Sequence, residues 1–161
     1  MKFDFFYMHS VNSSIFFPTF NAQPWLSESN KIRLLKFKAY VDLALYTSRR
    51  SPALLLEEIT NYVPKKLEAG DAEWKGIFQR LFVFPEDDGH AVKLGRAVAE
   101  AEVVSKEFEG EDWAKIKGFM FEKIGNMVAD SVEDTGPTWA RNVGFEQAWE
   151  KYEDRPRQSH I

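Results

Sequence analysis

With 161 residues, no cysteine and a formal net charge of −4, the chain excludes a disulfide framework, a thiolate nucleophile and a cysteine-type zinc site. The acidic balance, with a pI near 5.5, argues against nucleic acid and against an anionic membrane surface as partners. A hydrophobic content of 44%, with fourteen Phe and five Trp, is enough for one bulky core, so a single domain is expected.

The opening MKFDFFYMHSVNSSIFF is apolar and raises the question of a signal peptide. Asp4, His9, Asn12 and Ser13 interrupt it, and no small-residue cleavage site follows. The apolar runs are too short to span a membrane. A cytoplasmic location and a buried helix over Phe5–Phe17 are therefore expected. On that helix His9, Asn12 and Ser13 fall at i, i+3 and i+4, a polar stripe among aromatics. Buried polar groups need hydrogen-bond partners or something to coordinate.

Ser27 or Ser29 caps a long helix running to about Ser48, with Ile32, Leu35, Tyr40 and Leu43 on apolar faces and Lys31, Arg33, Lys36 and Lys38 on a solvated one. Ser51-Pro52 reads as an N-cap followed by proline at the first helical position, opening a helix that carries Leu54, Leu55, Leu56 and Ile59. Pro64 to Gly70 is a polar loop. Asp71 then caps a segment with Trp74, Ile77, Phe78, Leu81 and Phe82, which Pro85 ends. Asp88 is the expected N-cap of a helix from Gly89 to about Phe108. Further helices are expected over roughly Asp112–Ser131 and Thr138–Tyr152. Arg155–Ile161 reads as a disordered tail in which His160 has no evident role. With no alternating strand pattern, the fold class is all-α: one helical domain over residues 1–154.

Two patterns carry chemistry. His90 and Lys93 are three residues apart and share a helix face with the small or apolar Ala97, Ala101 and Val104. A core histidine with one hydrogen bond and a lysine reaching to water would produce the same spacing. Asn126, Asp130 and Glu133 or Asp134 form a second polar stripe. Periodicity alone makes it a solvated face; as a functional feature, Asp130 would orient a ligating histidine. Trp139 and Arg141, after the Thr135-Gly136-Pro137 turn, read as packing and a salt bridge. The sequence has no HExxH, no Ser–His–Asp arrangement and no dinucleotide-binding glycine fingerprint.

The strings FYMHSVNSSIFF, KIRLLKFKAYVDLALYTSR, SPALLLEEITNY, EDDGHAVKLGRA, KIKGFMFEKIGNM and DSVEDTGPTWARNVGFEQAW follow one another as in the C-terminal part of questin oxidase-like proteins. The resemblance covers about Phe3 to Trp149. It implies a fungal oxygenase of secondary metabolism that opens or rearranges aromatic polyketides such as anthraquinones, by Baeyer–Villiger-like or dioxygenase-like chemistry. It also implies NADPH as reductant, a histidine-rich non-haem Fe(II) centre and, in one branch, a carboxylated lysine ligand. On this chain the metal-ligand candidates are His9, His90 and Lys93, with Lys117 as the alternative to Lys93, supported by Asn12 and Asp130.

Family members are more than twice this length, and most of their histidines lie in the N-terminal part. The chain thus reads as the C-terminal region of such an enzyme, or as a short paralogue. The competing reading is a non-catalytic helical remnant or interaction module. The expected ligand is an aromatic small molecule. The apolar first helix is a candidate for self-association, and His9 is expected to meet the His90 helix across one cavity.

Overall fold

The computed structural model describes residues 1–66, 73–134 and 136–153. Within them the fold is all-α, as expected. The helices are α1 (Phe5–Ser14), α2 (Phe17–Asn21), α3 (Glu28–Ser48), α4 (Glu57–Thr60), α5 (Trp74–Val83), α6 (His90–Ser105) and α7 (Phe119–Glu133). Short 3₁₀ turns follow at Lys106–Phe108 and Glu146–Ala148. The expected Asp71 cap and the 155–161 tail with His160 lie outside the described residues.

Helix α6 is the centre of the packing: α7, α1 and α5 all pack against it, and α5 also packs against α7. Met8, Ile77, Leu81, Leu94, Phe121 and Val128 are buried together where these four helices meet. At 25 cal/mol per Å² of apolar surface, full burial of each such side chain stabilises by roughly 1.5–3 kcal/mol. Two glycines permit the close approach. A Cβ on Gly95 would lie 2.6 Å from Leu81, and one on Gly125 2.7 Å from Trp74.

Asp4 starts α1: its carboxylate accepts from the Phe6 and Tyr7 amides, and its other oxygen accepts from Val143 N–H at 3.1 Å. The same region forms a parallel bridge, with Phe5 N–H on the Ala140 carbonyl and Ala140 N–H on the Phe3 carbonyl, each at 2.9 Å. The N-terminal residues are thereby tied to the segment after α7. Lys2, itself buried, donates to the carbonyl of Asp134 at 3.3 Å and to that of Ser131, satisfying the C-terminal end of α7.

Several expected elements are shorter or absent. Ser51 is not an N-cap: its φ is 45°, and its amide bonds back to the Tyr46 carbonyl, which closes α3. Residues 52–56 are consequently non-helical, and α4 keeps only Glu57–Thr60. Helix α7 begins at Phe119, not Asp112, because Gly118 has φ 44° and its amide is taken by the Glu109 carboxylate at 3.0 Å. The expected helix over Thr138–Tyr152 is mostly irregular. Ala140 is committed to the bridge with Phe3 and Phe5, and Asn142 is left-handed at φ 62°, neither of which a helix allows.

Candidate functional site

The second turn of α1 packs against the start of α6, so that His9 meets His90. Their ring centroids are 5.2 Å apart and the ring planes are perpendicular. Phe5 closes one side, 4.7 Å from His9 and 5.2 Å from His90. Trp139 stands 6.5 Å from His90. The guanidinium of Arg141 lies over the Phe5 ring at 4.5 Å. This cation–π contact replaces the salt bridge expected of Arg141.

His90 is oriented by Asp88. The Asp88 carboxylate binds the Nδ1 side of the ring, and that bond is the main reason its pKa lies below the ordinary carboxylate range. With the carboxylate ionised, Nδ1 is the donor, and in the neutral ring Nε2 carries the lone pair. The amides of the first α6 turn go chiefly to the neighbouring Asp87, whose carboxylate accepts from Ala91 N–H at 3.0 Å and Val92 N–H at 3.3 Å. Gly89 between them is left-handed, at φ 92°. Capping and histidine orientation are therefore divided between adjacent aspartates, where one cap was expected.

His9 keeps part of its surface in water, yet its pKa is lowered. Desolvation on the packed side is the main cause, followed by the nearby His90 and Lys93. Lys93 is exposed, and its aliphatic stem passes close to Gly89. The structure thus gathers His9, His90 and Lys93 into one open cluster.

The other candidates lie elsewhere. Lys117 donates to the Glu111 carbonyl at 3.3 Å, in the loop before α7. Asn12 points its Nδ2 at the Met8 sulfur, 2.9 Å away, and leaves Oδ1 buried without a partner. Ser13 bonds back to the Ser10 carbonyl. The Asn126–Asp130 stripe is buried and not a solvated face. Asp130 binds Arg80 and the Tyr62 hydroxyl and accepts from the Lys65 amide at 2.9 Å, so its oxygens are engaged away from the histidines. Arg80 also pairs with Glu133 at 2.7 Å. Burial alone would lower the Arg80 pKa, but its bonds to Glu133 and Asp130 outweigh this and raise it. Arg80 escaped the sequence reading, although an arginine inside the apolar run 74–83 was a signal that a buried acid had to face it.

An apolar cavity of about 470 Å³ adjoins the cluster without including either imidazole. Tyr7, Met8 and Val11 of α1, Leu94 and Val98 of α6, and Phe121 of α7 line it. The histidines therefore meet each other but do not line this cavity. The Tyr7 hydroxyl is buried with no hydrogen-bond partner.

A ferrous centre with open positions needs about three protein ligands in fixed geometry. Among the described residues no group of three or more His, Asp or Glu side chains is placed to hold a metal ion. An ammonium lysine has no lone pair to add. The described residues thus offer two imidazoles and do not complete an iron site. No helix among the described residues is long and apolar enough to cross a membrane.

An all-helical domain in which a carboxylate-oriented His90 meets His9 beside an apolar cavity defines the candidate site. The chain belongs to the Questin oxidase-like family, whose family model matches residues 1–98. It is 40% identical to Oxidoreductase AflY of Aspergillus parasiticus over 141 residues, covering 87% of this chain and 28% of the relative. It is 35% identical to Baeyer-Villiger monooxygenase AacuH of Aspergillus aculeatus, covering 93% of this chain and 32% of the relative. Questin oxidase of Aspergillus terreus is also 35% identical, over 92% of this chain and 33% of its own length. The chain spans about a third of the length of the curated relatives it matches.

Proposed function

We propose that this chain forms one part of an oxygenase that inserts oxygen into, or opens, a ring of an anthraquinone-type polyketide. The observation that carries the reading is the meeting of His9 and His90, placed by separate helices in an aromatic enclosure. Family membership and the names of the relatives support the reaction class.

In this reading the aromatic substrate stacks against the Phe5–Trp139 wall and reaches toward the cavity, where the unpaired Tyr7 hydroxyl offers a hydrogen bond to a ring oxygen. His90, held through Nδ1, presents the Nε2 lone pair to a phenolic proton. The Lys93 ammonium then stabilises the phenolate electrostatically. In a Baeyer–Villiger outcome, ketone, dioxygen, NADPH and a proton give ester, water and NADP⁺. NADPH acts as a diffusible reductant in this scheme, and no residue is assigned to it.

Iron is the other co-reactant the resemblance implies. Its donors on this chain would be His9 and His90, with Lys93 only after carboxylation. Because that set falls short of a complete centre, no step is routed through iron. The test is oxygen uptake and product analysis with an anthraquinone-type substrate and NADPH in the full-length Aspergillus terreus questin oxidase, comparing wild type with alanine variants at the positions that match His9 and His90. Unchanged turnover in both variants would sink the site assignment.

The second reading, a non-catalytic helical module, is favoured by the same incomplete donor set. Unchanged turnover of the long relative when alanine replaces both matching histidines would favour it.

A further inference from the structure

Helix α3 is 21 residues long and has no buried residue. The helices it packs against are the short α1 and α2. Its contact with α1 is polar: Lys38 and Asp42 pair with each other and with the Ser10 hydroxyl. The two lysines on that stripe are the covered ones, with side chains only 14% exposed at Lys31 and 18% at Lys38. Meanwhile Val41 is 63% exposed and Leu43 60%. The charged stripe faces inward beside the half-buried Leu45 and Tyr46, while most of the helix's large apolar residues face water, the reverse of an ordinary surface helix.

The exposed residues form two stripes. Ile32, Leu35 and Leu43 follow i, i+3 and i+11, and Leu34, Phe37 and Val41 follow i, i+3 and i+7; all six are exposed. At about 100° per residue, Ile32 and Val41 project from opposite sides of the helix. A helix that is apolar on two opposite sides belongs in an interior, between other helices.

We propose that α3 is an interior helix of the family fold, and that both stripes dock against polypeptide from the part of that fold outside the third this chain spans. The length relation supplies the occupant: each of the relatives named above has about two thirds of its chain outside the matched region. A second copy of this chain fits less well. A two-fold interface buries one face of a helix against its own equivalent and would leave the opposite stripe in water. The inference stands apart from the catalytic reading and does not depend on it.

The test uses Leu35→Glu and Val41→Glu, one on each stripe, in two settings. In the 161-residue chain both positions are exposed, so each variant should keep the melting temperature within about 2 °C of wild type, the behaviour of a surface substitution. In the full-length Aspergillus terreus questin oxidase, glutamate at the matching positions should lower it by about 10 °C or abolish soluble protein, the behaviour of a charge forced into a core. A third arm co-expresses the tagged 161-residue chain with the unmatched region of that relative. Wild type should co-purify at one to one, with at least a tenfold loss of complex in either variant, while Val83→Glu, exposed on α5, changes nothing. If the long enzyme tolerates both substitutions, the proposal is overturned, whatever the third arm gives. A stable homodimer of the chain alone, dissolved by both substitutions, would also overturn it in favour of self-association.

Discussion

Asp88 accepts from Nδ1 of His90 across a single residue, and this bond decides which face of the imidazole is available for chemistry. The left-handed Gly89 lets the carboxylate turn back onto the ring at the start of α6. Replacing Asp88 by Asn removes the charge that fixes the tautomer while keeping the shape. Where oxygenase turnover is established, Asp88→Asn should reduce it by roughly tenfold or more, the usual loss when the partner of a functional histidine is removed. Nitrogen-15 NMR of the ring should show a single Nδ1–H tautomer in wild type and a mixture in the variant. A mixture in wild type would contradict the proposed role.

The His9 ring should titrate below its ordinary value of 6.5, because desolvation, His90 and Lys93 all disfavour the imidazolium. The sign for stability follows. Above 6.5 the ring is neutral in both the folded and unfolded chain and contributes nothing. As pH falls below 6.5 the unfolded chain takes up the proton first, and stability declines until the folded ring is also protonated. Since His9 keeps part of its surface in water, the effect is small and best read by NMR titration of the ring protons. Lys93→Ala should move the midpoint upward. A wild-type midpoint at or above 6.5 would contradict the packing described for this cluster.

The Arg80–Asp130 pair should be among the most costly in the fold to break. Arg80 is 7% exposed and Asp130 1%, and their remaining bonds go to Glu133, Asn126, Tyr62 and the Lys65 amide. Removing one partner leaves a buried charge without its counterpart, a loss of about 3–5 kcal/mol. Urea denaturation of Arg80→Ala and Asp130→Ala should each show a shift of that order. The double variant should lose less than the sum, since the second removal also relieves a stranded charge. Additive losses would show that the two side chains act separately.

Much of this architecture was legible from local signals. Ser27 capping α3, the apolar rhythm of α5 and the start of α6 are written in short-range chemistry, and they stand where expected. The failures share a cause. Residues 112–118 and 138–152 carry apolar spacing compatible with a helix, yet distant partners hold them otherwise: Glu109 takes the Gly118 amide, and Phe3 and Phe5 hold Ala140 in a bridge. Asp4 illustrates the same limit, because capping α1 could be read locally but its bond to Val143 could not. The stripe of Asn126 and Asp130 looked solvated because its counter-charge, Arg80, sits on another helix. That His9 would meet His90 came from the order of six family strings and from the need to satisfy buried polar groups. No spacing rule connects α1 with α6. The enclosing Phe5, Trp139 and Arg141 were invisible for the same reason.

By itself the 161-residue chain should hold iron poorly and turn over little substrate. Its imidazoles meet in one cluster, but among the described residues no third histidine or carboxylate joins them in a metal-holding group. Two neutral nitrogen donors bind ferrous iron too weakly to hold it against water and buffer, and Lys93 contributes nothing as an ammonium. The chain alone should therefore retain well under one equivalent of iron after anaerobic reconstitution and desalting. It should also show little oxygen uptake with an anthraquinone-type substrate and NADPH. Raising bicarbonate, which favours lysine carboxylation, should increase retained iron in wild type and leave Lys93→Ala unchanged. Iron content and oxygen uptake measured on one preparation separate the outcomes. Stoichiometric iron with steady turnover would show that these residues complete the site unaided, and the two-imidazole account would then be wrong.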